Sequence, residues 1–156
     1  MAVVGSLSGE PPLNLADMLR SPFNQGISEM GFVYGQNVMC ECRWAEFYYD
    51  RLPALAADLV SRKVDVIVTF GGTPSALAAK SATSTIPIVF TDVGDPVGIG
   101  LVASLARPGG NITGFANIST ELMPKLLELL CELVPQAGVI ALLVNPNNPN
   151  SEGIIR

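Results

Sequence analysis

Hydrophobic residues along this chain follow two patterns: short continuous runs, and longer segments with an apolar residue at every third or fourth position. Runs of this kind are typical of strands buried on both faces, and the longer segments are typical of helices with one apolar face. The predicted strands are Ala2–Leu7, Val38–Trp44, Val64–Phe70, Ile86–Phe90, Ile112–Phe115 and Val139–Val144.

Helical segments are predicted between these strands, covering residues 15–30, 52–60, 73–80, 99–105 and 119–134. Asp50 and Thr73 are placed to act as N-caps, because a short polar side chain can accept a hydrogen bond from the first turn. Pro74 then occupies the first helical position, where its missing N–H is harmless. Pro22 should kink or split its helix, and Pro124 fits only within a first turn.

Strands that alternate with helices and are apolar throughout indicate a parallel sheet with helices on both faces. The predicted fold class is therefore α/β, doubly wound, and the common strand order 2-1-3-4-5 is expected. In such a sheet, ligands bind beyond the carboxyl ends of the strands, where the strand order reverses. That point lies between the first and third strands.

The loops at this edge carry small, hydroxyl and acidic residues. The glycines before Pro74 leave backbone amides at a helix N-terminus, which is suited to a carboxylate or phosphate. Asp92 or Asp95 could then receive an ammonium group, so the site suits a zwitterion such as an amino acid. The alternative is that the glycines form a plain tight turn and the aspartates cap turns. The candidate ligand-binding residues are Ser6, Ser8, Gly71, Gly72, Thr73, Thr91, Asp92 and Asp95.

Composition and charge narrow the function classes. The net charge is −5 and the basic residues are scattered, which disfavours nucleic acid as a partner. The chain has no histidine, the commonest general base and metal ligand, so neither an enzyme nor a metal or cofactor site is predicted. No apolar run is long enough to span a bilayer, and the start lacks the pattern of a signal peptide.

A pair of cysteines and a group of aromatic residues each allow both a structural and a functional interpretation. Cys40 and Cys42 share one face of a predicted strand but are too far apart for easy bridging, so they are interpreted as small buried hydrophobic residues. Trp44, Tyr48 and Tyr49 could form a stacking edge, although packing is the favoured interpretation.

Several segments resemble a known family. They are Gly31–Val38, Arg43–Glu46, Asp65–Val68, Gly72–Lys80, Thr85–Phe90, Gly94–Val97, Gly100–Asn111 and Val144–Asn147. These segments are similar to the periplasmic substrate-binding components of ABC transporters, in the group with tryptophan- and other aromatic-amino-acid-binding members.

The resemblance implies a type 1 periplasmic-binding fold, in which two α/β lobes close on a ligand by hinge bending. Residues 1–118 would be the N-terminal lobe, and residues 119–156 a crossover helix and the first strand of an otherwise missing second lobe. The expected function is capture of a small organic solute, with an amino acid as the expected kind, in an interlobe cleft. Delivery to a membrane permease and a periplasmic or extracellular location follow from the resemblance.

Two alternatives from other classes stay open at this point. One is the effector-binding domain of a repressor-like regulator, although no basic DNA-reading segment precedes the first strand. The other is a small α/β enzyme, against which the missing histidine counts. The apolar segments within residues 119–156 also need cover, so a homodimer through them is expected.

Overall fold

The computed structural model describes residues 1–14, 21–117 and 119–146, and these form a five-stranded parallel sheet flanked by helices. The strand order is β2-β1-β3-β4-β5, so the predicted α/β class and the 2-1-3-4-5 order are confirmed. The elements in chain order are β1 (Ala2–Ser8), α1 (Pro22–Glu29), β2 (Val38–Trp44), α2 (Leu52–Ser61), β3 (Val66–Phe70), α3 (Thr73–Ala82), β4 (Ile88–Val93), β5 (Ile112–Ala116) and α4 (Ser119–Leu133).

The central strand β1 defines both faces of the sheet. Leu7 points to the α2–α3 side and joins a core that includes Leu59, Ile67 and Phe90. Val4 points to the opposite side, where it packs with Val38 and Val68. Successive side chains of a strand alternate between faces, so a fully apolar strand has to be covered on both.

Two predicted N-caps are wrong. Tyr49–Arg51 form a turn of 3-10 helix, and Arg51 rather than Asp50 occupies the N-cap of α2. Gly72 rather than Thr73 is the N-cap of α3, with a φ of 82°, and Thr73 is the first helical residue. Only glycine adopts this φ readily, which explains why the chain turns from β3 into α3 at that residue.

The predicted helix over Ile99–Leu105 is also wrong, because the chain forms turns there. The amides of Leu101 and Val102 both donate to the carbonyl of Pro96, and both side chains are buried in the core. Gly100 has a φ of 69°, which interrupts helical geometry.

The first helix is observed only in part as predicted. Helix α1 begins at Pro22, and the hydroxyl of Ser21 accepts a hydrogen bond from the amide of Asn24 at 3.3 Å. Residues 15–20 of the predicted helix lie outside the described residues. A proline at the first helical turn starts this helix instead of kinking it.

Two predictions fail in the last part of the chain. Pro124 lies inside α4, beyond its first turn, so the placement predicted for it is wrong. The segment Val139–Val144 forms no strand, because none of the described residues pairs with it, and Leu143 is 99% exposed. A strand needs a neighbour for its backbone hydrogen bonds, which apolar sequence alone does not provide. Residues 147–156 lie outside the described residues, so the division at residue 118 stays a prediction.

Within the described ranges, no helix combines the length and the apolar character that a membrane crossing requires.

Candidate ligand-binding site

The loops that follow β1 and β3 are in backbone contact at the carboxyl edge of the sheet. The amide of Gly9 donates to the carbonyl of Phe70 at 3.2 Å. Gly71 has a φ of 73°, and a Cβ atom added to it would lie 3.0 Å from the Gly9 nitrogen. Glycine at position 71 therefore permits both the left-handed turn and the close approach of the two loops.

Helix α3 starts directly beside this contact. Its N-cap is Gly72, Pro74 lies in its first turn, and Ser75 is fully buried. Among the described residues, the Ser75 hydroxyl has no hydrogen-bond partner, and it lies 3.3 Å from the position a Cβ of Gly9 would take. The first amides of a helix have no partner within the helix and form the positive end of its dipole. This end of α3 is therefore suited to an anionic group.

The end of β4 reaches the same place. A Cβ added to Gly72 would lie 3.6 Å from the carbonyl oxygen of Asp92. Asp92 is exposed, has a φ of 60°, and accepts a hydrogen bond at Oδ1 from the side-chain amide of Asn117. The Thr91 hydroxyl donates to the carbonyl of Thr69 at 2.9 Å, which adds a side-chain hydrogen bond between β4 and β3. The backbone of Asp92 thus lies next to the start of α3.

The remaining candidate residues have other local roles. Asp95 accepts a hydrogen bond at Oδ1 from the amide of Gly98 at 2.8 Å, so its carboxylate closes a turn. Ser8 is buried and its hydroxyl accepts from the amide of Glu10 at 3.0 Å. The structure brings together five of the predicted residues, and their role in binding stays a prediction: Gly71, Gly72, Thr73, Thr91 and Asp92.

Ser6 and Ser8 line a cavity of about 170 Å³ between the sheet and the chain around α1. The register places Ser6 beside Cys42 and Ser8 beside Trp44 on one face of the sheet. Small side chains at alternate positions of β1 and β2 leave room beneath the covering segment. The other lining residues are Val4, Glu10, Pro11, Leu13, Ser21, Phe23, Asn24, Tyr34, Cys40 and Phe70.

The sequence did not predict this cavity, although the alternation of small residues along β1 and β2 was a signal for it. The aromatic cluster considered as a stacking edge is divided: Trp44 lines the cavity, Tyr48 is 65% exposed, and Tyr49 packs against the core. Tyr34 closes one side, and its hydroxyl donates to Oδ1 of Asn24 at 2.9 Å. Burial, aided by the neighbouring Cys40 and Cys42, raises the pKa of Tyr34 to about 12.

Comparisons with known proteins agree with this architecture. Residues 13–156 match the family described as ABC transporter substrate binding protein. A tyrosine-binding protein of Clostridioides difficile is 36% identical over 136 residues, which are 87% of this chain and 39% of that protein.

Solved structures extend the likeness to the fold. A protein from Vibrio cholerae is 33% identical with a TM-score of 0.85, and the match covers 99% of this chain and 51% of that one. A domain from Streptococcus pneumoniae, solved in complex with L-Trp, is 28% identical with a TM-score of 0.70, covering 86% and 44%. A ligand-free, open substrate-binding protein with adhesive properties from Clostridium difficile is 32% identical with a TM-score of 0.71, covering 99% and 51%.

The chain spans 39% of the curated relative and about half of each solved neighbour. Its family match nevertheless covers most of its own residues, and its sheet has the expected order. The chain belongs to the ABC transporter substrate binding protein family, a family of substrate-binding proteins and not of enzymes.

Proposed function

We propose that this chain supplies one wall of an interlobe cleft that captures an amino acid for an ABC importer. The observation that carries the proposal is that the backbone of Asp92 lies beside the start of α3, a helix N-terminus suited to an anionic group. A Cβ atom added to Gly72, the N-cap of α3, would lie 3.6 Å from the backbone carbonyl oxygen of Asp92. A zwitterion needs both partners at short range, and this edge offers both.

The carboxylate of the ligand would bind at the first turn of α3. The ammonium of the ligand would bind the Asp92 carboxylate, which the side-chain amide of Asn117 holds in place through Oδ1. Thr91 and Thr73 complete the lining of this wall.

Relatives support an aromatic amino acid as the ligand class. One carries the name tyrosine-binding protein and another was solved with L-Trp. In this proposal the bound amino acid is handed to a membrane permease, and the protein acts in the periplasm or outside the cell, as its family membership supports.

The test is a titration of the chain with L-Trp and L-Tyr, followed by NMR chemical shifts because binding to one wall is weak. Asp92→Asn should reduce affinity for L-Trp by about tenfold or more, since a charge-assisted hydrogen bond contributes roughly 1.5–3 kcal/mol. Binding of indole-3-propionate, which lacks the ammonium, should not change in this variant. Asp50→Asn, at an exposed carboxylate in the turn before α2, serves as the matched control.

Equal affinity of Asp92→Asn and the unaltered chain for L-Trp would contradict the assigned ammonium site. Shifts confined to residues away from β1, β3 and β4 would contradict the location of the site itself.

The second part of the proposal is a homodimer through the last described helix. Leucines are exposed along α4, and the exposure of Leu133 reaches 78%. An apolar surface of this kind favours association. Light scattering should show a dimer at micromolar concentration, and Leu126→Glu together with Leu130→Glu should dissociate it. A monomer in the unaltered chain at that concentration would refute this part alone.

A further inference from the structure

Two cysteines lie side by side on the cavity face of β2. The parallel register pairs Cys40 with Val4 and Cys42 with Ser6, so both thiols project from the same face of the sheet. Both line the cavity beneath α1 and both are half-buried. They therefore form a dithiol pair with access to a cavity, which differs from thiols enclosed in a core.

A disulfide does not suit this pair. Residues two apart on an extended strand have Cα atoms about 6.6 Å apart, at the upper limit of what a disulfide spans and above the usual distance of about 5.5–6 Å. An ion that bridges the two sulfurs instead tolerates a wider separation, because it adds two metal–sulfur bonds between them. The pair is therefore better arranged to bind an ion than to oxidise.

We propose that Cys40 and Cys42 form a two-coordinate site for monovalent copper inside the cavity under α1. Soft thiolate ligands select Cu(I), and two of them satisfy its low coordination number. Binding releases both thiol protons: two S–H bonds break, two Cu–S bonds form, and no electron is transferred. The resulting complex has a charge of −1. The proposal does not rest on amino-acid binding.

Zinc is a poor occupant of the same pair. A structural zinc ion takes four protein ligands in tetrahedral geometry. Within the described parts of the chain, no group of three His, Cys, Asp or Glu residues is placed to hold a metal ion. Selectivity for Cu(I) over Zn(II) is therefore part of the expectation.

The experiment measures Cu(I) uptake by the reduced 156-residue chain under nitrogen, in competition with a chromophoric Cu(I) chelator. The third cysteine, Cys131, is exposed on α4 and supplies the matched control. Cys131→Ser should keep one Cu(I) per chain with unchanged affinity. Cys40→Ser and Cys42→Ser should each lower the affinity at least tenfold, and X-ray absorption should show two sulfur ligands. Zn(II) should be removed by a moderate chelator that leaves Cu(I) bound.

A second measurement uses the unaltered chain, so it does not depend on how the serine variants fold. Cu(I) should protect Cys40 and Cys42, but not Cys131, from alkylation detected by mass spectrometry. Unchanged copper affinity in the Cys40→Ser, Cys42→Ser double variant, or protection of Cys131 alone, would overturn the site. L-Trp binding should be the same with and without copper, so failure of this proposal and failure of the proposed amino-acid site are distinguishable.

Discussion

Gly71 is the residue on which the backbone contact at the carboxyl edge depends, and Gly71→Ala tests that dependence. Two strains add at this position. The backbone φ of 73° is left-handed, and the new Cβ would meet the Gly9 nitrogen at 3.0 Å and the Glu10 nitrogen at 3.2 Å. Both of these neighbours are backbone atoms, so neither can rotate away.

Two other glycines separate the strains. Gly35 has a φ of 78° with no atom within 4 Å of an added Cβ, so Gly35→Ala introduces only the backbone strain. Gly26 lies in α1 with open space and no left-handed φ, so Gly26→Ala introduces neither. A left-handed φ at a non-glycine residue costs about 1–2 kcal/mol. Forcing an atom into filled space adds roughly 1–3 kcal/mol.

The free energy of unfolding should therefore fall by about 1–2 kcal/mol in Gly35→Ala and by roughly 2–5 kcal/mol in Gly71→Ala. It should rise by about 0.5–1 kcal/mol in Gly26→Ala, because alanine is the better helix former. Urea unfolding followed by circular dichroism measures all three. With a slope of about 2 kcal/mol per molar urea, Gly71→Ala should shift the midpoint by roughly 1–2.5 M. Equal midpoints for Gly71→Ala and Gly35→Ala would refute the close contact with Gly9.

Three further predictions concern acid stability, alkaline titration and the core. The hydrogen bond from Arg43, with a second from Arg62, lowers the pKa of Asp58 below 3.8. The contribution of Asp58 to stability is therefore full above that pH and is lost as the pH falls through the lowered value. Asp58→Asn should make the free energy of unfolding depend less on pH in acid, whereas Asp50→Asn should not. Burial raises the pKa of Tyr34 from 10.0 to about 12, so its contribution to the free energy of unfolding is full below pH 10 and is lost as the pH rises to 12. In an alkaline titration followed by tyrosinate absorbance, Tyr34→Phe should lose the step near pH 12. Phe90→Ala, at a core side chain that is 1% exposed, should lower the free energy of unfolding by about 3–5 kcal/mol in urea, and a loss below 1 kcal/mol would contradict its place in the core.

Periodicity predicted the sheet well, because buried parallel strands have continuous apolar runs that helices with one apolar face do not. It failed where local geometry or a missing neighbour decided the outcome. Asp50 and Thr73 are good N-cap residues by type, yet Arg51 and Gly72 occupy the caps because of the path of the incoming chain. Val139–Val144 is apolar enough for a strand, yet no described strand lies beside it.

For the candidate site, the rule that ligands bind at the carboxyl edge selected Gly71, Gly72, Thr73, Thr91 and Asp92, and the fold places these residues together. The same rule selected Asp95, whose carboxylate closes its own turn, because a loop sequence does not reveal which backbone amide an aspartate accepts from. It also gave no indication that the Ser75 hydroxyl is buried without a partner among the described residues, since burial depends on neighbours distant in sequence.

The amino-acid sequence by itself determined the fold class, the strand order expected of it and the edge of the sheet where a ligand would bind, because these follow from local periodicity and from the geometry of parallel strands. Tertiary structure alone decided the cavity under α1, the position of Cys40 and Cys42 on its wall, and the short distance between the start of α3 and Asp92. Each of these depends on how strands are registered side by side, and register is set by packing between segments far apart in the chain.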